Sequence, residues 1–219
     1  MKKNVKQILQ NILLKRHQPI VIGSVGRAGS TMLFENTVES CIRAYYGPRF
    51  SRFLNRVIAD EAWDLTRPLS DGCIYKTHDY PSALNGRNVK VIYLFAKPSD
   101  SAFSAWCKGR SAGRQWQEAH MRHLGAEGDF LDIPRKDVLA LGRHIQAWAA
   151  PQCFPVLRIR YEYIWEYEKY LSEFYGFHLQ LPAQRERQST FSKDAEHLAV
   201  FRQTYAEADS FVDSLPDLF

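Results

Sequence analysis

The chain has 219 residues, 45% of them hydrophobic and 24% charged, enough to close one well-buried core and too few for two comfortable domains. A net charge of +5 favours anionic ligands, but the basic residues are scattered, with no aromatic-interleaved run of the kind a nucleic-acid surface uses. Cysteines at 41, 73, 107 and 153 show no CxxC and no tight spacing, so they read as reduced thiols in the cytoplasm rather than as a disulfide framework or zinc site.

At the N-terminus Val5, Ile8, Leu9, Ile12 and Leu13 recur at helical spacing, interrupted by Gln7, Gln10 and Asn11 and followed by Lys15-Arg16. That pattern predicts an amphipathic helix rather than a signal peptide. No later stretch reaches the length of a membrane span.

Four short apolar runs predict buried strands: Pro19–Val25, Gly72–His78, Val89–Lys97 and Pro155–Glu162. Helical spacing fills the gaps between them. Phe34, Thr37, Val38, Cys41, Ile42 and Tyr45 mark one helix, and Ser99 and Asp100 cap another that carries Phe103 and Trp106. Val138, Leu141, Ile145 and Trp148 mark a third. A fourth carries Ile164, Tyr167, Leu171 and Phe174 and is closed by Gly176; a C-terminal helix runs through Leu198, Phe201, Tyr205, Ala208 and Val212. Strands alternating with helices predict one α/β domain over 1–219, a three-layer arrangement with a central, mostly parallel sheet flanked by helices. Residues 47–71 and 108–135 lack clean periodicity and are expected to form loops and short helices over the strand ends, where ligands bind in such folds.

The first strand runs into Gly23-Ser24-Val25-Gly26-Arg27-Ala28-Gly29-Ser30-Thr31 and a helix follows at once. Glycines let the backbone wrap closely, the amides point inward, and the helix N-terminus adds partial positive charge: an anion site. Neither GxGxxG nor GxxxxGK[ST] is present, because the glycines fall at 23, 26 and 29 and no lysine follows Gly29. A purely structural glycine turn is the alternative.

Gly26-Arg27-Ala28-Gly29-Ser30-Thr31 resembles the 5′-phosphosulfate loop of the sulfotransferases that use 3′-phosphoadenosine 5′-phosphosulfate (PAPS), in which a basic residue precedes a small residue and then Gly-Thr/Ser-Thr. The family often has Trp next, at the adenine; here Met32 stands there. Lys76-Thr77-His78 with Pro81 beyond is similar to the catalytic segment of the cytosolic members. The resemblance implies that His78 is the general base, that Lys76 touches the transferring sulfuryl group, and that Gly26 to Thr31 hold the 5′-phosphate; Arg27 supplies a further charge to offset that on the sulfuryl group and leaving phosphate. Elementary chemistry agrees: a hydroxyl is a poor nucleophile at neutral pH, imidazole is the side chain suited to take its proton, and cations offset charge on the leaving phosphate.

After the third strand, Pro98, Asp100 and Ser104 match the family's Arg-x-Pro-x-Asp with a serine one turn on, a pair that binds the 3′-phosphate. The arginine position is Ala96, so Lys97, Arg185 and Arg187 are the candidates for the missing charge beside Ser104. Arg158-Ile159-Arg160-Tyr161-Glu162 also looks like the family's later strand end, with Tyr161 and Glu162 in a structural role, and Gln184–Lys193 stands where the loop closing over the product lies. The resemblance implies the P-loop sulfotransferase fold, PAPS as co-substrate with 3′-phosphoadenosine 5′-phosphate (PAP) as product, no metal, and a small-molecule or carbohydrate acceptor. Arg110, Arg114, Trp116, His120 and Arg122 hint at a polar or anionic acceptor, or form a solvated basic face.

Two other functions remain open. A P-loop kinase or NTPase needs Gly-Lys-Ser/Thr and a strand-terminal Asp for magnesium, whereas the third strand ends Phe95-Ala96-Lys97. A non-catalytic nucleotide-binding protein of the same fold is the other. Metal binding by His120 and His123 would need further ligands.

Overall fold

The computed structural model describes residues 17–47, 49, 51–61, 63–184 and 195–219. The expected N-terminal helix around Val5–Leu13, and the candidate phosphate ligands Arg185 and Arg187, lie outside the described residues.

The chain forms an α/β layer structure around a five-stranded sheet in the order β2-β3-β1-β4-β5, with every neighbouring pair parallel. The strands are β1 (Ile20–Ser24), β2 (Ala59–Asp60), β3 (Ile74–Thr77), β4 (Lys90–Phe95) and β5 (Val156–Arg160). β1 is buried along its whole length, as a central strand covered on both faces must be. The four expected strands are present with shorter ends; the two-residue β2 carries too little sequence to show a period.

The helices are α1 (Ser30–Tyr45), α2 (Ser51–Ile58), α3 (Pro98–Ala112), α4 (Arg114–His123), α5 (Leu141–Ala149), α6 (Glu168–Tyr175), α7 (Ala195–Thr204) and α8 (Ala206–Asp213). α1 packs on β1 and β3, α2 packs on α1 and β2, and Tyr175 of α6 hydrogen-bonds Thr37 of α1 at 2.9 Å. α3, α5, α7 and α8 pack on one another. Gly23 shows how closely α5 meets the sheet: a Cβ there would lie 3.3 Å from Tyr93 and 3.4 Å from the Trp148 indole, which stacks on Tyr93 at 5.0 Å.

Several details differ from the sequence expectation, beginning with α5 and α6, which start at Leu141 and Glu168 and leave Val138, Ile164 and Tyr167 ahead of them. Ser99 and Asp100 do not cap α3 but sit inside its first turn; the Asp209 carboxylate of α8 accepts the Ser99 backbone N–H at 3.0 Å and does the capping from a distant segment. The C-terminal helix is two helices, broken at Tyr205, whose hydroxyl donates to the carbonyls of Ile133 and Lys136. Residues 217–219 then run antiparallel along β5, with Arg158 and Phe219 exchanging backbone hydrogen bonds at 2.8 and 3.1 Å.

Because the chain leaves β1 towards β2 and leaves β4 towards β5, the strand order reverses between β1 and β4. Ligands bind in such sheets outside the carboxyl ends of the strands at this reversal. The loop of residues 25–29 sits there, with the end of β3 on one side and the start of α3 on the other.

Candidate active site

Three residues of left-handed backbone shape the loop after β1. Gly26, Arg27 and Gly29 have φ of 83°, 55° and 76°, all left-handed. Arg27 holds that conformation without glycine's freedom, at a cost of about 1 kcal/mol or more, as residues at ligand sites often do. Gly29 occupies the N-cap of α1 with no side-chain cap, and the first turn carries no acidic residue. The opening amides of α1 are thereby left for an anion. A Cβ on Gly29 would lie 2.1 Å from Tyr161, so the tyrosine at the end of β5 presses its ring onto the loop.

Hydroxyls and cations surround the loop. Ser24 Oγ donates to Ser30 Oγ at 2.9 Å and accepts from the Gly26 amide at 3.3 Å. Lys76, nearly buried at the end of β3, points its ammonium at Thr31 Oγ1 (2.7 Å) and at the Glu61 carboxylate (2.5 Å). Arg27 reaches across to α3, its Nε donating to Ser104 Oγ at 3.1 Å. Arg27, Ala28, Gly29, Ser30, Thr31, Lys76 and Ser104 thus form one neighbourhood.

His78 completes it from the β3 side. Its Nδ1 lies 2.8 Å from the Ser24 carbonyl oxygen and 3.2 Å from Ser24 Oγ. A carbonyl can only accept, so Nδ1 carries the proton and Nε2 keeps its lone pair. Burial is the largest cause that pushes the imidazole down to about 4, against the raising effect of the Ser24 hydrogen bond; Lys76 and His123 push the same way as burial. His78 is therefore neutral, a base, at physiological pH.

The backbone that carries His78 is itself held. His144 of α5, fully buried, donates from Nε2 to the carbonyls of His78 (2.9 Å) and Asp79 (3.2 Å) and accepts at Nδ1 from the Tyr93 hydroxyl (2.9 Å). Trp148 Nε1 donates to the Asp79 carbonyl at 3.1 Å. Beside His78 opens a cavity of about 260 Å³ lined by Trp63, Asp64, Asp79, Arg122 and His123. Both aperiodic stretches, 47–71 and 108–135, contribute to its wall. Of the residues suggested for an acceptor, Arg122 lines it, whereas Arg110 lies over the Trp106 ring and Arg114 pairs with Glu118.

Lys97 does not join this group. Its ammonium pairs with Asp213 of α8 at 2.8 Å, and Ala96 is fully buried. Ser104, the serine expected at a 3′-phosphate, accepts instead from Arg27 Nε. Sequence reasoning missed Ser24, Glu61, His144 and the reach of Tyr161 to Gly29. Ser24 was open to inference, since a serine closing β1 in register with the end of β3 must meet the residue after Thr77. The others come from distant segments and leave no local signal.

No protein-family model matches the chain, and no curated protein matches its sequence. Among solved structures it is similar to mouse sulfotransferase SULT7A1 complexed with PAP, at 15% identity and a TM-score of 0.46, over 96% of this chain and 71% of that one. It is also similar to retinol dehydratase in a complex with retinol and PAP, at 16% identity and a TM-score of 0.41, over 88% and 69% of the two chains. For retinol dehydratase with androsterone and inactive cofactor PAP the values are 15% and 0.39, over 91% and 71%. No helix among the described residues is long and apolar enough to cross a membrane.

Proposed function

We propose that the protein is a sulfotransferase that moves a sulfuryl group from PAPS to a hydroxyl or amine of an acceptor. The observation that carries the reading is the His78 imidazole, fixed by the Ser24 carbonyl with Nε2 free, at the edge of an anion-binding loop and at the mouth of a cavity.

The residues fit the 5′-phosphosulfate half of such a donor. Ser30, Thr31 and the amides following Gly29 suit a phosphate, and Arg27 and Lys76 supply charge where the sulfuryl group and its leaving phosphate would lie. For the 3′-phosphate half Ser104 is the candidate among the described residues, without a counterpart of the family's arginine at Ala96. His78 Nε2 takes the proton of the acceptor as its oxygen or nitrogen bonds to sulfur; the bond from sulfur to the 5′-phosphate oxygen breaks, and PAP leaves. Lys76 must exchange Glu61 for the substrate's oxygens as the donor enters. The cavity beside His78 is the place for the acceptor, and its mixture of Asp64, Asp79, Arg122 and His123 with Trp63 suits a polar molecule.

The test is incubation with ³⁵S-labelled PAPS and a panel of phenols, amines and sugars, following transfer of the label to the acceptor together with acceptor-dependent release of PAP. The reading predicts release by the wild-type chain and loss in His78→Ala with PAP affinity kept. Release unaffected by His78→Ala would overturn the role given to His78.

A further inference from the structure

A second imidazole stands at the same loop. His120 on α4 is 9% exposed, and its ring nitrogens make no hydrogen bond among the described residues. The ring is nevertheless fixed: it stacks flat on Trp116, with centroids 4.6 Å apart and planes 14° from parallel. Its Cε1–Nε2 edge faces the loop, with Cε1 3.4 Å and Nε2 3.9 Å from the position a Cβ on Gly26 would take.

The groups whose charge His120 feels are His78, Arg27 and His123. Burial first, and then those neighbours, push it down to about 3, so the ring is neutral and offers one N–H and one lone pair. A metal role has no support, since no group of three metal-capable side chains occurs among the described residues. An anion held over the loop is a ligand suited to that N–H. Ser30 and Thr31 open α1, and Ser24, whose carbonyl holds His78, accepts the Gly26 amide on its Oγ, so the stretch of loop that His120 faces is tied to the residue that fixes His78.

We propose that His120 is a second imidazole of the reaction centre, donating a hydrogen bond from its loop-facing edge to the sulfuryl group of the bound donor. The inference rests on the sulfotransferase reading given above. It distinguishes the two nucleotides of the reaction, because PAPS carries the sulfuryl group and PAP does not.

The test is calorimetric titration of wild type, His120→Phe and His120→Gln with PAPS and with PAP. Phenylalanine keeps the stack on Trp116 without a donor; glutamine keeps an N–H. His120→Phe is expected to weaken PAPS about tenfold, the size of one hydrogen bond to a charged group. PAP should change by less than about twofold in the same variant, and His120→Gln should recover most of the PAPS affinity. Equal weakening of both nucleotides, or no change in either, overturns the role of His120 while leaving the sulfotransferase reading intact. Wild-type protein that binds neither nucleotide overturns both.

Discussion

His78 and Ser24 are neighbours across the sheet: parallel pairing sets Gly23 opposite Thr77, so the next residue of each strand meets the other, and His78 Nδ1 comes to 2.8 Å from the Ser24 carbonyl. The strand that feeds the anion-binding loop is therefore the strand that fixes the base. The loop and the imidazole cannot move independently without losing that bond. Behind them, His144 ties the backbone of residues 78 and 79 to α5.

Replacing His144 by Phe removes the donor to two carbonyls and strands the Tyr93 hydroxyl in the core. The expected cost is about 1–3 kcal/mol of stability in urea unfolding, from buried groups left unpaired. Acceptor-dependent turnover should fall while PAP affinity stays within about twofold. Stability unchanged from wild type would show that these hydrogen bonds do not hold the segment.

Acid should destabilise the protein through its buried histidines. His78 and His144 are held down to about 4 and His120 to about 3, each mainly by burial, from an ordinary value of 6.5. The unfolded chain binds more protons than the native one between those values, so stability rises with pH there. The contribution is fully present above 6.5 and is lost as pH falls towards 4. Urea midpoints measured across that range should drop steadily on acidification; a flat profile would mean the imidazoles are not buried in neutral form.

Gly29→Ala places a methyl group against the Tyr161 ring and forces alanine into a left-handed conformation. The backbone alone costs about 1–2 kcal/mol, and the displaced tyrosine reshapes the loop. We expect a lower Tm together with weaker PAP binding. Tyr161→Ala in the same background should recover part of the stability by opening the space.

Glu61 competes for Lys76. With the carboxylate removed in Glu61→Gln, the ammonium keeps Thr31 and faces the loop without its ion pair. PAP should bind about two- to fivefold more tightly, the range expected for a partly exposed pair, with the gain shrinking in high salt. Weaker binding would instead assign Glu61 to the donor site.

Much of this was legible in the sequence because it is local. The glycines at 26 and 29, the strand ending at Lys76-Thr77-His78 and the helix behind Ser30 are each specified within a few residues. What was hidden depends on contacts between segments far apart in the chain. Asp209 caps α3 from more than a hundred residues away, Tyr161 fills the space over Gly29, and Lys97 turns to Asp213. The α4 helix escaped notice because its buried face is narrow: His120 is the residue it buries, and the rest of its surface is polar or half-covered. A histidine and a tryptophan four residues apart do not look like a core stripe, and here they form the stack beside the loop instead.

Recognition of the nucleotide is what a sulfotransferase cannot do without, and thermal unfolding with PAP measures that most directly. A ligand that binds the native state at about a hundred times its Kd adds about 2.7 kcal/mol. For a chain of this length that corresponds to a Tm rise of about 5–10 °C. The account predicts such a rise with PAP and a smaller one with adenosine 5′-monophosphate, which lacks the 3′-phosphate. No rise with PAP at millimolar concentration would contradict it.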